Sequence, residues 1–248
     1  MARAGALFTR PFLNLTPKAA RAWIDPDRRL PDVSGTRILC LASGGGRQSA
    51  CFGVLGAEVT VLDLAEEVLA GDRAAAAHYG FRLRVEQGDM RDLSRFGPGE
   101  FEIIYQPYSI NFVPEARAVF GGVARILRAG GTYAVMCANP YALSIATSDW
   151  TGEGYLLRYP YVEGLAHQYT DEPWVYSEGS VPVEIPVGRH YRHTLATIIN
   201  GLAEHGFIIE HLAEETRPIE GTTPGDWDHL VATIPPWLTF WTRSTPTA

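Results

Sequence analysis

An α/β chain with a doubly wound, mostly parallel sheet is predicted by three observations. From Arg37 onward, short apolar runs alternate with amphipathic stretches, the pattern of parallel strands joined by crossover helices. The first run ends in three adjacent glycines, Gly44, Gly45 and Gly46. The second ends in an acid, Asp63, 17 residues beyond Gly46.

The elements follow in order. Residues 1–36 are rich in Pro, Arg and Asp and read as an N-terminal helical arm or lid, with a short helix over 16–24 before the breaks at Pro26 and Pro31. RILCLA (37–42) is the first strand, and the small residues of SACFGVLG form a helix after the glycines. EVTVLDL (58–64) is the second strand. The next helix carries Glu66 and Glu67 in its first turn and stops at Gly80. FRLRVEQGDM alternates as a third strand, and FEIIYQP (101–107) is a fourth. A helix opened by Pro114 is expected to run over 115–131, followed by the strand TYAVMCANP. Residues 37–140 would then be the cofactor-binding core.

The stretch 141–192 is dense in Tyr, Trp, Gly and Pro and reads as a substrate-binding insertion. Residues 193–248 return to core elements: a helix over 193–206, a strand over 207–215, a turn-rich GTTPGDWDHL and a last short strand in PPWLTFWTRS. One domain is expected over 1–248.

Composition bounds the function. The 248 residues are 46% hydrophobic and carry a formal charge of -7, which suits a folded domain and disfavours a phosphate backbone or an anionic membrane as partner. Lys18 is the only lysine. Cys40, Cys51 and Cys137 lack CxxC spacing, so neither a zinc site nor a disulfide framework is expected. No signal-peptide core or long apolar run is visible, and a reducing cytoplasm is the expected compartment.

The glycine turn, Ser43 to Gly46, has no Cβ in the way of a ligand and is expected to offer free backbone N–H groups. A tight βα turn is the bland alternative. Asp63 sits where a carboxylate can take both hydroxyls of a ribose; its own alternative is a helix cap. A dinucleotide site would want G-x-G-x-x-G/A, and Ser49 stands at the third small position. A nicotinamide-dependent oxidoreductase is therefore the weaker of two readings. Gly88-Asp89-Met90, ending the third strand, suits an adenine better: Asp89 can accept its amine and Met90 can cover its ring.

On these residues the chain resembles the class I S-adenosylmethionine-dependent methyltransferases, from about Arg37 to Gly131. The family's first motif, acid-x-Gly-x-Gly-x-Gly, lies over Cys40, Ala42, Gly44 and Gly46, with Cys40 replacing the acid and Ala42 the first glycine. ARILRAGGTYAV is similar to the family's helix, turn and fifth strand. The resemblance implies a Rossmann-like sheet of seven strands with one reversed. It implies S-adenosylmethionine as cofactor and S-adenosylhomocysteine as product, held by Ser43, Gly44, Gly45, Gly46, Asp63, Leu64, Gly88, Asp89, Met90 and Gln106. It also implies methyl transfer to a small metabolite, expected to be aromatic or apolar. An S-adenosylmethionine-binding protein used for cyclisation, rearrangement or sensing shares the same signature.

Substrate residues are sought in loops after the fourth and fifth strands and in the aromatic insertion: Tyr108, Asn111, Asn139, Tyr141, Trp150, Tyr169, Trp174 and Arg192. A satellite core beneath a long loop would explain the same aromatics. Candidate bases are His167, His190 and His193, since imidazole titrates near neutrality; each could equally be a capping or surface residue. No metal ligand set is expected. The expected partner is a small molecule, with no nucleic acid or membrane, and a homodimer is left open.

Overall fold

The computed structural model describes residues 9–169 and 188–245. Among them a seven-stranded sheet forms from β1 (Arg37–Leu41), β2 (Glu58–Asp63), β3 (Leu83–Gln87), β4 (Phe101–Gln106), β5 (Leu127–Ala138), β8 (Phe207–Glu214) and β9 (Trp237–Ser244). Their order is β3-β2-β1-β4-β5-β9-β8. Every pair from β3 to β5 is parallel, while β9 runs antiparallel to both its neighbours. The doubly wound sheet with one reversed strand expected from the resemblance is thus present. Strands β6 (Ala166–Tyr169) and β7 (Gly188–Tyr191) pair separately as an antiparallel ribbon.

The central strands are continuous apolar runs because both faces are covered. On β1, Ile38 and Cys40 join one core with Phe52, Val61 and Leu69. Leu39 and Leu41 face the other, with Phe120, Tyr133 and Phe240. Helices α2 (Gln48–Val54) and α3 (Glu66–Tyr79) cover the first face, and α4 (Ala116–Ile126) and α5 (Leu195–Glu204) cover the second. Helix α3 ends as the sequence predicts, with Gly80 at φ 75° in the left-handed region that favours glycine.

Two expectations are corrected. The helix predicted over 115–131 stops at Ile126, and β5 starts at Leu127 beside Phe101, with a register shift before Ile103. Gly130 at φ +72° turns the chain there, which a helix interior does not allow. The stretch expected as turns contains α6 (Trp227–Thr233), which buries His229, Leu230 and Val231. The last strand is eight residues long rather than short, because it fills the gap between β5 and β8.

The arm includes α1 (Pro17–Ile24), capped by Thr16, whose hydroxyl accepts from Ala19 N at 3.2 Å. Residues 9–15 then lie over the glycine turn. Phe12 N donates to Gly46 O at 3.2 Å, and Thr9 Oγ1 to Gly44 O at 3.3 Å. No helix among the described residues is long and apolar enough to cross a membrane.

Candidate active site

A cavity of about 630 Å³ opens at the carboxyl ends of β1, β2, β3 and β4. One end is walled by Ser43, Gly44, Asp63, Leu64, Gly88, Asp89 and Met90, and the other by Tyr108, Phe112, Val113 and His190. Nine of the residues singled out from the sequence therefore meet in one place.

The glycine turn is organised differently from the expectation of free N–H groups. Gly44 N donates to Asp63 Oδ2 at 2.8 Å. Gly45 N and Gly46 N donate to the two oxygens of Asp72, at 2.8 and 3.1 Å, and Ser49 Oγ donates to Asp72 Oδ1 at 2.5 Å. Gly45 and Gly46 are buried and lie outside the cavity lining. Asp72, on α3 and fully buried, was not singled out from the sequence. Its signal was a lone acid on the buried side of a helix. Burial pushes its carboxyl up to about 6, against the pull of Ser49 and the two N–H groups.

Glycine is required here by close approach. A Cβ on Gly46 would stand 2.5 Å from Gly71 O, and one on Gly44 would stand 2.6 Å from Val68 Cγ2. Helix α3 is thus drawn tight against the turn, which places Asp63 at the cavity wall. Asp63 Oδ1 also accepts from Ala65 N at 3.0 Å, and burial raises its carboxyl above the ordinary range. Ser43 Oγ is buried at the wall with no partner among the described residues beyond a loose contact with the Cys40 thiol.

At the third strand's end, Arg91 clamps Asp89, with Nη2 2.6 Å from Oδ2 and Nε 3.0 Å from Oδ1. The guanidinium holds the Asp89 carboxyl below the usual range. Gln106 is behind the cavity rather than in it. Its Nε2 donates to Met90 Sδ at 3.3 Å and lies 3.1 Å from Ser109 Oγ, and its Oε1 accepts from Tyr133 at 2.5 Å. It props Met90 and the loop after β4, and burial leaves its amide no reach to a ligand.

At the other end, the Tyr108 hydroxyl lies 3.2 Å from His190 Nδ1. Burial, and the like charge of His167 directly opposite on β6, push His190 down to about 4. A neutral imidazole beside a phenol can exchange a proton with a bound hydroxyl.

The remaining candidates hold the insertion rather than line the cavity. His193 is buried, with Nδ1 2.9 Å from Glu163 Oε1 and Nε2 3.0 Å from Val113 O. Both ring nitrogens are engaged in fixing the insertion to the loop after β4, so it is not positioned as a base. Arg192, 1% exposed, donates to Pro160 O and to Leu143 O at 3.2 Å. Asn111 donates to Tyr191 O at 3.0 Å and accepts from Ala138 N at 2.8 Å. Asn139 donates to Pro235 O at 2.9 Å.

Tyr141 stacks on Tyr161 at the surface, and Trp150 packs with Tyr155 and His229 away from the cavity. His167 meets Tyr159 edge-on and is not in the lining. Trp174 lies outside the described residues, as does the side chain of Tyr169. Arg91, Arg189, Thr9 and Gln48 also line the cavity. Among the described residues no cluster of three or more His, Cys, Asp or Glu could hold a metal.

Residues 39–135 match the family model for a methyltransferase domain. The strand order and the cavity at the carboxyl ends of the strands agree with that match. The chain is 36% identical over 115 residues to the uncharacterized methyltransferase YbaJ of Bacillus subtilis, covering 46% of this chain and 45% of that protein. It is 29% identical over 129 residues to a ubiquinone biosynthesis O-methyltransferase of Xanthomonas euvesicatoria, covering 51% and 53%. The chain thus spans about half the length of the curated relatives it matches. Its fold is similar to that of an S-adenosylmethionine dependent methyltransferase from Mesorhizobium loti, with a TM-score of 0.61, 21% identity and coverage of 92% and 99%.

Proposed function

We propose that the protein transfers a methyl group from S-adenosylmethionine to a small planar or apolar metabolite. The observation that carries this reading is the single cavity joining an acid-lined nucleoside end to an aromatic end. The residues present fit the cofactor. Asp63 would hold the ribose hydroxyls, the buried Ser43 hydroxyl has capacity for a polar ligand atom, and Met90 would cover the adenine, with Asp89 at its edge. Bound there, S-adenosylmethionine supplies an electrophilic methyl group on a sulfonium.

The chain's own residues do the rest. Tyr108, Phe112 and His190 wall the place where an acceptor would lie, keeping water out and aligning its nucleophilic atom. For a hydroxyl acceptor, neutral His190 takes the proton directly or through Tyr108. His167 would act on His190 from across the ribbon, and Arg189 of β7 would close the same side of the cavity. The buried free thiols of Cys40, Cys51 and Cys137 suit a cytoplasmic enzyme, and the net charge suits a small-molecule substrate.

Calorimetry tests the reading: S-adenosylmethionine and S-adenosylhomocysteine should bind saturably, and Asp63→Ala should abolish most of that affinity. Incubation with a panel of phenols, alcohols and amines should then give a product heavier by one methyl group. Absence of saturable binding by either nucleoside would sink the proposal.

A further inference from the structure

The three N–H groups of the glycine turn all point inward to carboxylates: Gly44 to Asp63, and Gly45 and Gly46 to Asp72. The carbonyls of Gly44 and Gly46 point the other way, to Thr9 Oγ1 and Phe12 N of the arm. A loop that cradles phosphate is built in the opposite sense, with its N–H groups turned to the ligand and no anion behind them. Here the buried carboxylate of Asp72 and the half-buried one of Asp63 already occupy the donors, and both add negative charge at the cofactor end.

We propose that Asp72 is a specificity-determining positioning residue, which with Asp63 turns the glycine loop inward so that the site accepts a nucleoside carrying a positive charge and rejects a pyrophosphate. The inference rests on the methyltransferase reading above and deepens it. Asp72 does not line the cavity. It acts by fixing the turn and by its field, which little solvent screens at a fully buried position. An anionic dinucleotide would have to displace a carboxylate from each N–H and face its charge. A sulfonium meets neither cost.

The charge on Asp72 is adjustable. The ionisable groups facing it are Asp63 at the end of β2 and the Cys40 thiol on β1; Ser49 approaches from α2 and Gly45 and Gly46 from the turn. With its carboxyl near 6, Asp72 is ionised at pH 7.5 and mostly protonated at pH 5. Affinity for the sulfonium should therefore rise as pH rises through about 6. S-adenosylhomocysteine, an uncharged thioether at the same atom, should follow much less.

The experiment is calorimetric titration of the full chain with S-adenosylmethionine, S-adenosylhomocysteine and NADH at pH 5 and 7.5. In the native protein, the preference for S-adenosylmethionine over S-adenosylhomocysteine should grow about fivefold between the two pH values, the effect of lowering the Asp72 carboxyl by about one unit when the sulfonium binds. NADH should show no saturable binding. Asp72→Asn should remove the pH dependence of that preference. Ser49→Ala, which keeps the charge but removes a bond that favours it, should move the midpoint of the pH dependence upward. The second variant decides the matter even if Asp72→Asn does not fold.

A preference that does not change with pH in the native protein, or an unmoved midpoint in Ser49→Ala, overturns the role given to Asp72. Saturable NADH binding comparable to that of S-adenosylmethionine overturns it too. If neither nucleoside binds the native chain, the methyltransferase reading itself has failed, a separate result.

Discussion

The Tyr108 hydroxyl stands 3.2 Å from His190 Nδ1, and the two rings meet at 71° with centroids 5.3 Å apart. The pair joins the loop after β4 to β7, elements 82 residues apart, at the aromatic end of the cavity. Under the proposed function, this pair is where an acceptor hydroxyl would meet a base. With the best hydroxyl substrate from the panel, His190→Asn should lower kcat on the order of a hundredfold or more, leaving S-adenosylhomocysteine affinity intact. Tyr108→Phe should cost less.

The same pair sets a pH signature. His190 is held down to about 4, so its neutral, basic form persists well below the range of an ordinary histidine. At saturating cofactor and substrate, kcat should stay level from pH 8 to pH 5 and fall through about 4. A fall centred near 6.5 would show that His190 is not the group responsible. The sign for stability is parallel. Because the folded pKa lies below the unfolded value, this contribution is present above about 6.5 and is lost as pH falls through about 4.

Gly71 gives a prediction opposite to helix propensity. Replacing a helix-interior glycine by alanine normally stabilises by about 1 kcal/mol. At Gly71, however, the new Cβ would stand 2.9 Å from both C and O of Gly45. Gly71→Ala should therefore destabilise the fold, by about 1–3 kcal/mol in denaturant titration. Cofactor affinity should drop with it, since the displaced atoms belong to the turn.

Among the described residues, Arg192 and His193 tie the insertion down through polar contacts. Arg192→Met would leave the carbonyls of Leu143 and Pro160 without their donor, and His193→Ala would release Glu163 and Val113. Each should lower thermal stability, by about 0.5–1.5 kcal/mol per hydrogen bond lost. Limited proteolysis should cut Arg192→Met within 141–165 sooner than the native chain. Neither change should alter the pH dependence of kcat, which separates these residues from His190.

Much of the fold was legible because it depends on neighbours in the chain. Apolar runs bounded by glycine gave β1, β2 and β4, and Gly80 stopped α3 where a left-handed residue is needed. The reading failed at 127–131, where pairing with Phe101 overrode helical periodicity, and at α6, whose helix is held by burial of three residues against the core. Asp63, Asp89 and Met90, picked out after strands in the sequence, do come together in the cavity lining, because parallel strands bring their carboxyl ends to one edge.

Side chains whose role is set by a distant partner were misjudged. Gln106, Asn111, Asn139, Arg192 and His193 look like site residues by type, yet each makes hydrogen bonds to remote parts of the chain and none lines the cavity. Asp72, not singled out from the sequence, holds two glycine N–H groups 26 and 27 residues away. The sequence by itself determined most strands of the sheet and the loops that meet at its carboxyl edge, since those follow from local periodicity and backbone permission. Only the tertiary structure decided which polar groups face the cavity and which are consumed behind it, because a hydrogen bond between remote residues leaves no local pattern, and burial makes it obligatory.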